Sequence, residues 1–180
     1  MKQIFDLGIR LLLRPDREGG FVNHSRDPGG MTNLGVTKRA WEKYLGHGVT
    51  EADMRALTPS IVTPFYKSEY WNAIEGDKLP AGVDYCVFDT AVNSGPRRAA
   101  KILQHVLGLK EDGDIGPITI QAANEKSPHW IIRQYTNVRL AFVKDLDGWD
   151  VFGGGWETRI EGVEKEALSF AGQEKDPLVA

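Results

Sequence analysis

The chain has very little sulfur chemistry to offer. Its one cysteine, Cys86, excludes an intramolecular disulfide framework and a cysteine-based zinc site. Positive charge is not in excess either: 22 Lys and Arg stand against 25 Asp and Glu, for a formal net charge of −3. The first 90 residues hold 11 basic and 12 acidic side chains, the last 90 hold 11 and 13. Neither half is a basic arm, so the phosphate-driven grip of a nucleic-acid-binding protein has no support. Long apolar runs are missing as well. Residues 4–13 are interrupted by Asp6 and Arg10, whereas a membrane span needs about 20 apolar residues and a signal peptide a cleaner run with a cleavage site. The expectation is a protein made in the cytoplasm without a cleaved signal peptide, with no stable membrane insertion. Any site of action outside would be reached by another export route. His24, His47, His105 and His129 show no ligand spacing. Asp112-Gly113-Asp114 begins like a calcium loop, but an EF-hand starting there would need glycine and glutamate where Pro117 and Ala123 stand. Neither a metal nor a cofactor is expected. A Gly-x-Ser-x-Gly nucleophile elbow and an internal repeat are also lacking.

What is present is an ordinary globular composition, 41% apolar and 26% charged over 180 residues, enough for one compact domain or two small lobes. Phe5, Ile9 and Leu12 or Leu13 mark one face of a first helix, which Pro15 should end or kink near Arg14. Residues 19–37 are glycine-rich without helical period. Asp27-Pro28-Gly29-Gly30 reads as a turn, and Phe21-Val22 with Leu34-Gly35-Val36-Thr37 read as short extended pieces of a small hairpin. Thr37 then caps a helix through Trp41, Tyr44 and Leu45, ended by Gly46 and Gly48. Thr50 and Asp53 resemble a capping box. Pro59 suits the first turn of a helix reaching Tyr70 and Trp71. Val83, Val87 and Ala91, with Cys86 and Thr90, form a buried face, and Ala99, Ile102, Leu103 and Val106 the next stripe. Residues 111–117 are a second turn-rich segment. Ser127-Pro128 opens a longer helix, and Gly153-Gly154-Gly155 separates it from a last one through Trp156, Ile160, Val163 and Ala167. The pattern is that of a mostly helical protein with one glycine-rich, β-like element near the N-terminus.

Two carboxylates in that element carry the chemical interest. If the first helix continued to Glu18, the negative end of its dipole and partial burial would both raise the carboxyl pKa, as a general acid requires. The alternative is a solvated glutamate beside a capping glycine. Asp27 follows with eight residues between, and paired carboxylates suit glycoside hydrolysis; equally, Asp before Pro-Gly fixes a turn through its own side chain. Thr32, with four residues between it and Asp27, could hold a water or satisfy loop backbone.

Glu18-Gly19-Gly20-Phe21 and the run Asp27-Pro28-Gly29-Gly30-Met31-Thr32-Asn33-Leu34-Gly35-Val36-Thr37 resemble the N-terminal signature of glycoside hydrolase family 108. Its members are N-acetylmuramidases, found as phage endolysins and secretion-activating muramidases. Asp89-Thr90-Ala91-Val92-Asn93-Ser94-Gly95-Pro96 and Asp112-Gly113-Asp114-Ile115-Gly116-Pro117-Ile118-Thr119 resemble the peptidoglycan-binding region that follows in the family. The resemblance implies a mainly α, lysozyme-like two-lobed fold, with a catalytic lobe over residues 1–92, a helical peptidoglycan-binding lobe over 93–172 and a tail over 173–180. It implies hydrolysis of the β-1,4 bond after N-acetylmuramic acid, with Glu18 as the catalytic acid and Asp27 and Thr32 as its catalytic companions. Phage-type lysozymes place the threonine one residue later than Thr32, a departure from their pattern. The expected partner is the peptidoglycan strand, bound by a monomer.

The substrate-binding candidates are Thr37, Tyr70, Trp71, Asp89 and Asn93. Tyr70 and Trp71 either stack on sugars or belong to the core. Asn93 could hydrogen-bond an N-acetyl group or cap a helix. Trp149, Phe152 and Trp156 read as packing. Cys86, on an apolar face, reads as a buried, inert thiol. A lytic transglycosylase, a glucosaminidase or a non-catalytic wall-binding module would share many of these residues.

Overall fold

The computed structural model describes residues 2–15, 17, 20–22 and 30–172. Glu18, Asp27, the Asp27-Pro28-Gly29 part of the expected turn and the 173–180 tail lie outside the described residues. Two compact units are formed, one from Leu7–Glu69 and the other from Met1–Asp6 with Tyr70–Ala180. The division expected from sequence, near residue 92, would cut a helix that lies at the centre of the second unit. Both units are helical, and among the described residues the three short strands all lie in the first, as the glycine-rich segment leads one to expect.

In the unit of residues 7–69, α1 (Lys2–Leu12) ends as Pro15 requires, with Ile9 and Leu12 buried. Three two-residue strands follow, β1 (Phe21–Val22), β2 (Thr32–Asn33) and β3 (Val36–Thr37), antiparallel in the order β1-β2-β3. Phe21 pairs with Asn33 and Val22 with Thr32, while Thr32 pairs with Thr37 and Asn33 with Val36. Leu34-Gly35, read above as extended, is instead the two-residue turn between β2 and β3. Its φ angles of 49° and 72° are the positive pair whose twist suits a tight hairpin. Leucine in that region costs about 1–2 kcal/mol. The Tyr66 hydroxyl offsets it by donating to the Leu34 carbonyl at 2.8 Å, and the Leu34 N–H donates to the Gly20 carbonyl at 3.2 Å. The buried Asn33 amide donates to the Met54 carbonyl at 2.7 Å and ties the sheet to the helices.

Those helices start where their caps say. Thr37 accepts from the Ala40 N–H ahead of α2 (Lys38–Leu45), which Gly46 ends at φ 77°. Thr50 and Asp53 complete a reciprocal box on α3 (Glu51–Arg55). Thr58 and Pro59 open α4 (Pro59–Tyr66), and Trp41, Tyr44, Phe65 and Tyr66 interlock with ring centroids 5.3–5.8 Å apart. The helix expected to run on through Trp71 does not stay α. Pro64 lies inside α4 and has no N–H to donate, and beyond Tyr66 the chain widens into a π turn, Lys67–Trp71.

The other unit is built around α5 (Val83–Ser94), whose residues 83–91 are all buried, not only the face its spacing suggests. Four helices accompany it: α6 (Pro96–Leu107), α7 (Pro117–Asn124), α8 (Pro128–Lys144) and α9 (Trp149–Ala171). The short α7 is absent from the sequence reading, because its apolar residues are too few to show a period. Burial pushes the Cys86 thiol far up, so it is inert. Helix α9 runs antiparallel along α5. A Cβ on Gly82 would meet the Ala167 carbonyl oxygen at 2.3 Å, and the Tyr85 hydroxyl donates to Glu166 at 2.8 Å.

Gly153-Gly154-Gly155 does not separate two helices; α9 passes straight through it. Gly153 is needed because the Trp149 ring lies on it, and a Cβ there would come within 2.5 Å of the ring. Gly154 meets nothing within 4 Å. Gly154→Ala should therefore gain about 0.5–1 kcal/mol of helix propensity and raise the thermal midpoint by roughly 2–4 °C. Gly153→Ala should lower the midpoint, and thermal unfolding of the pair measures the contrast.

Asp84, buried in the first turn of α5, accepts at one oxygen from the Gly82 N–H at 2.8 Å and the Tyr85 N–H at 2.7 Å. Burial outweighs these bonds and pushes its carboxyl up to about 7. A folded pKa above the unfolded one means that Asp84 favours the fold most below about pH 4, and that this contribution is lost as pH rises towards 7. Asparagine keeps an oxygen for both N–H groups without the charge. Asp84→Asn should raise the thermal midpoint at about pH 8 and change it little near pH 4, measured across that range.

Candidate active site

The described part of the glycine-rich segment brings two of the expected site residues together. Thr32 and Thr37 are direct partners across β2 and β3, both half-buried. The Thr37 hydroxyl oxygen accepts the Ala40 N–H at 3.2 Å, so its first task is capping α2, while its own O–H remains a donor. Phe21, the last residue of the Glu-Gly-Gly-Phe motif, lies under the Arg55 guanidinium at 3.9 Å. Arg55 is in turn held by Glu51 at 2.7 Å. Helix α1 ends at Leu12, so the continuous helix on which the dipole argument for Glu18 was built is not formed.

The remaining candidates sit on or beside α5. Trp71 is 1% exposed, with its ring 5.2 Å from Phe5 and 5.5 Å from Phe88 and its N–H donated to Asp77 at 3.0 Å. The Gly76 backbone closes on the same ring. Of the two readings left open for Trp71, this is the core one: no face is left for a sugar. Tyr70 is half-buried, and Asn93 is exposed in the last turn of α5, one turn beyond Asp89.

Asp89 is 0% exposed and meets two arginines. Arg139 of α8 donates to one carboxylate oxygen at 2.8 Å, and Arg159 of α9 donates to the other at 2.9 Å. Its Nε lies 3.2 and 3.3 Å from the two oxygens. Burial alone would raise the Asp89 carboxyl, but the two guanidinium charges and their hydrogen bonds outweigh it and hold it below the usual carboxylate range. A carboxylate so enclosed reaches no ligand directly; what it does is orient Arg159, whose side chain is 15% exposed against 2% for Arg139. Neither arginine emerges from the sequence reading. They stand 50 and 70 residues from Asp89, and the one local trace is that Arg159 lies three residues after Trp156 on the same helix face.

Trp149, Phe152 and Trp156 only partly fit the packing expected of them. The two tryptophans are half-buried with centroids 6.3 Å apart, but Phe152 is 60% exposed, its ring 6.1 Å from that of Trp156. Among the described residues, no group of three or more His, Cys, Asp and Glu side chains could hold a metal ion, and no helix is long and apolar enough to cross a membrane.

Residues 15–95 match the family model described as Glycosyl hydrolase 108. That stretch contains all the candidates, from Glu18 to Asn93. No curated protein sequence matches the chain. Among solved structures it is similar to SagA of Brucella abortus, with 38% identity, 99% of this chain and 100% of that chain covered, and a TM-score of 0.86. The helical architecture with its small N-terminal sheet is thus a lysozyme-like fold. Identity at that level over nearly the full length of both chains, together with the family match over residues 15–95, establishes that the chain belongs to glycosyl hydrolase family 108, a family of peptidoglycan-degrading glycosidases.

Proposed function

We propose that the enzyme is an N-acetylmuramidase, cleaving the β-1,4 bond between N-acetylmuramic acid and N-acetylglucosamine with Glu18 as general acid. The observation that carries this reading is the Glu18-Gly19-Gly20-Phe21 motif within the matched residues 15–95. Glu18 protonates the leaving glycosidic oxygen, and the oxocarbenium-like carbon is met by water or by Asp27. Thr32 and Thr37, paired across the sheet, supply hydroxyls for water or sugar, and Asn93 and Tyr70 contact N-acetyl groups and sugar faces. Residues 93–172 form the helical part that grips the glycan. With a net charge of −3, that grip is built from local contacts, not bulk attraction to the anionic wall.

A positioned general acid contributes about 10²- to 10⁴-fold. Glu18→Gln should therefore lose at least about 10²-fold in the release of reducing ends from purified sacculi, with an unchanged thermal midpoint. Mass spectrometry of the wild-type digest should find reducing muramic acid ends. Anhydro ends would make the enzyme a transglycosylase, and sacculus binding without products would make it a wall-binding module. A Glu18→Gln protein that clears sacculi at the native rate would overturn the assignment of the acid.

A further inference from the structure

The turn from α8 into α9, with the first two turns of α9, carries apolar side chains that the interior of the larger unit does not take up. Val151 is 76% exposed, Phe152 60% and Leu146 39%. Beside them the backbone is bare. Gly154 and Gly155 follow Val151 by three and four residues and so share its helix face, and nothing lies within 4 Å of where a Cβ on either would stand. Gly153 is explained by the Trp149 ring, but these two are not. Glycine is the poorest helix former after proline, so both weaken α9 with no close neighbour that requires them. The same segment is acidic. Residues 144–158 hold one basic and four acidic side chains, and the one cation, Lys144, is engaged by Glu157 at 3.6 Å and by the Trp149 ring at 5.6 Å. Asp145, Asp147 and Asp150 are exposed, and among the described residues none of them has an ion pair. Asp150 suits the first turn of α9, but Asp145 caps the C-terminus of α8, where the helix dipole disfavours a carboxylate.

We propose that this face docks a basic, amphipathic helix of a protein partner. How closely two helices approach depends on the side chains at their contact, and Gly154 and Gly155 remove that obstacle. Val151 and Phe152 enter between the apolar side chains of the partner helix, with Leu146 extending the contact. Its lysines or arginines meet Asp145, Asp147 and Asp150, giving an apolar centre with a charged rim. The rim decides between occupants. A second copy docking tip to tip would bring the same three carboxylates against these, and a phospholipid surface would press them against phosphates. The surface needs nothing from the muramidase reading, since none of its residues lies in the matched stretch 15–95.

The full chain is titrated against a fluorescein-labelled synthetic helix of roughly 18 residues, built from leucine, alanine and lysine with the leucines on one face, and binding is read by anisotropy. One control peptide replaces lysine by glutamate, and another scrambles the order. The lysine helix should bind and both controls should not. Phe152→Ser should weaken binding about ten-fold. Asp147→Asn with Asp150→Asn should weaken it about ten-fold and flatten its dependence on salt. Gly154→Leu separates docking from folding: leucine favours the helix, so the thermal midpoint should hold or rise while binding falls about ten-fold. Ile61→Ser, at an apolar residue of α4 that is 45% exposed, should leave the affinity unchanged. A wild type that ignores the lysine helix, or takes either control equally well, overturns the proposal. So does a Gly154→Leu or Phe152→Ser protein that binds as the wild type does. A wild-type dimer in sedimentation velocity that Phe152→Ser dissolves would overturn it in favour of a second copy. Co-sedimentation with phosphatidylglycerol and phosphatidylethanolamine vesicles, lost in the same variant, would overturn it in favour of a lipid surface.

Discussion

The charge cluster at Asp89 is the constraint on which the larger unit depends. One carboxylate with no exposure is shared by α5, α8 and α9, through Arg139 and Arg159. A buried charge left without its partner costs about 3–5 kcal/mol, a large part of the 5–15 kcal/mol that holds an ordinary domain together. Three helices are therefore fixed in register by one side chain, and wrong registers are penalised because they strand an ion in an apolar interior. Around it the seam between α5 and α9 is closed by shape at Gly82, whose missing Cβ admits the Ala167 carbonyl, and by the Tyr85–Glu166 hydrogen bond. Tyr135 joins α8 to α6 by donating to the Ala99 carbonyl at 3.2 Å.

The smaller unit follows a different logic. Among the described residues its sheet has three two-residue strands, too short to be stable alone, and side chains from the helices complete it. Tyr66 supports the strained Leu34 carbonyl, and Asn33 reaches the end of α3 through the Met54 carbonyl. The aromatic cluster of Trp41, Tyr44, Phe65 and Tyr66 supplies the apolar mass behind these bonds. Thr32 and Thr37 are held in this frame by backbone pairing, so their hydroxyls are positioned by the scaffold and not by their own rotamers alone.

What the amino-acid order reveals here is what is decided locally. The caps at Thr37, Thr50 and Ser127 are legible because the side chain and the N–H it accepts are three residues apart. The Glu-Gly-Gly motif is legible because it is contiguous. Leu34-Gly35 is not, since an apolar residue at the first turn position hides a tight hairpin that the distant Tyr66 helps to hold. The triple glycine misleads for the opposite reason. Locally it reads as a break, but the Trp149 ring needs Gly153 bare, and the packing of α9 against α5 and α8 carries the helix across it. The arginines of the charge cluster are invisible in any window, because what they answer is a carboxylate 50 and 70 residues earlier.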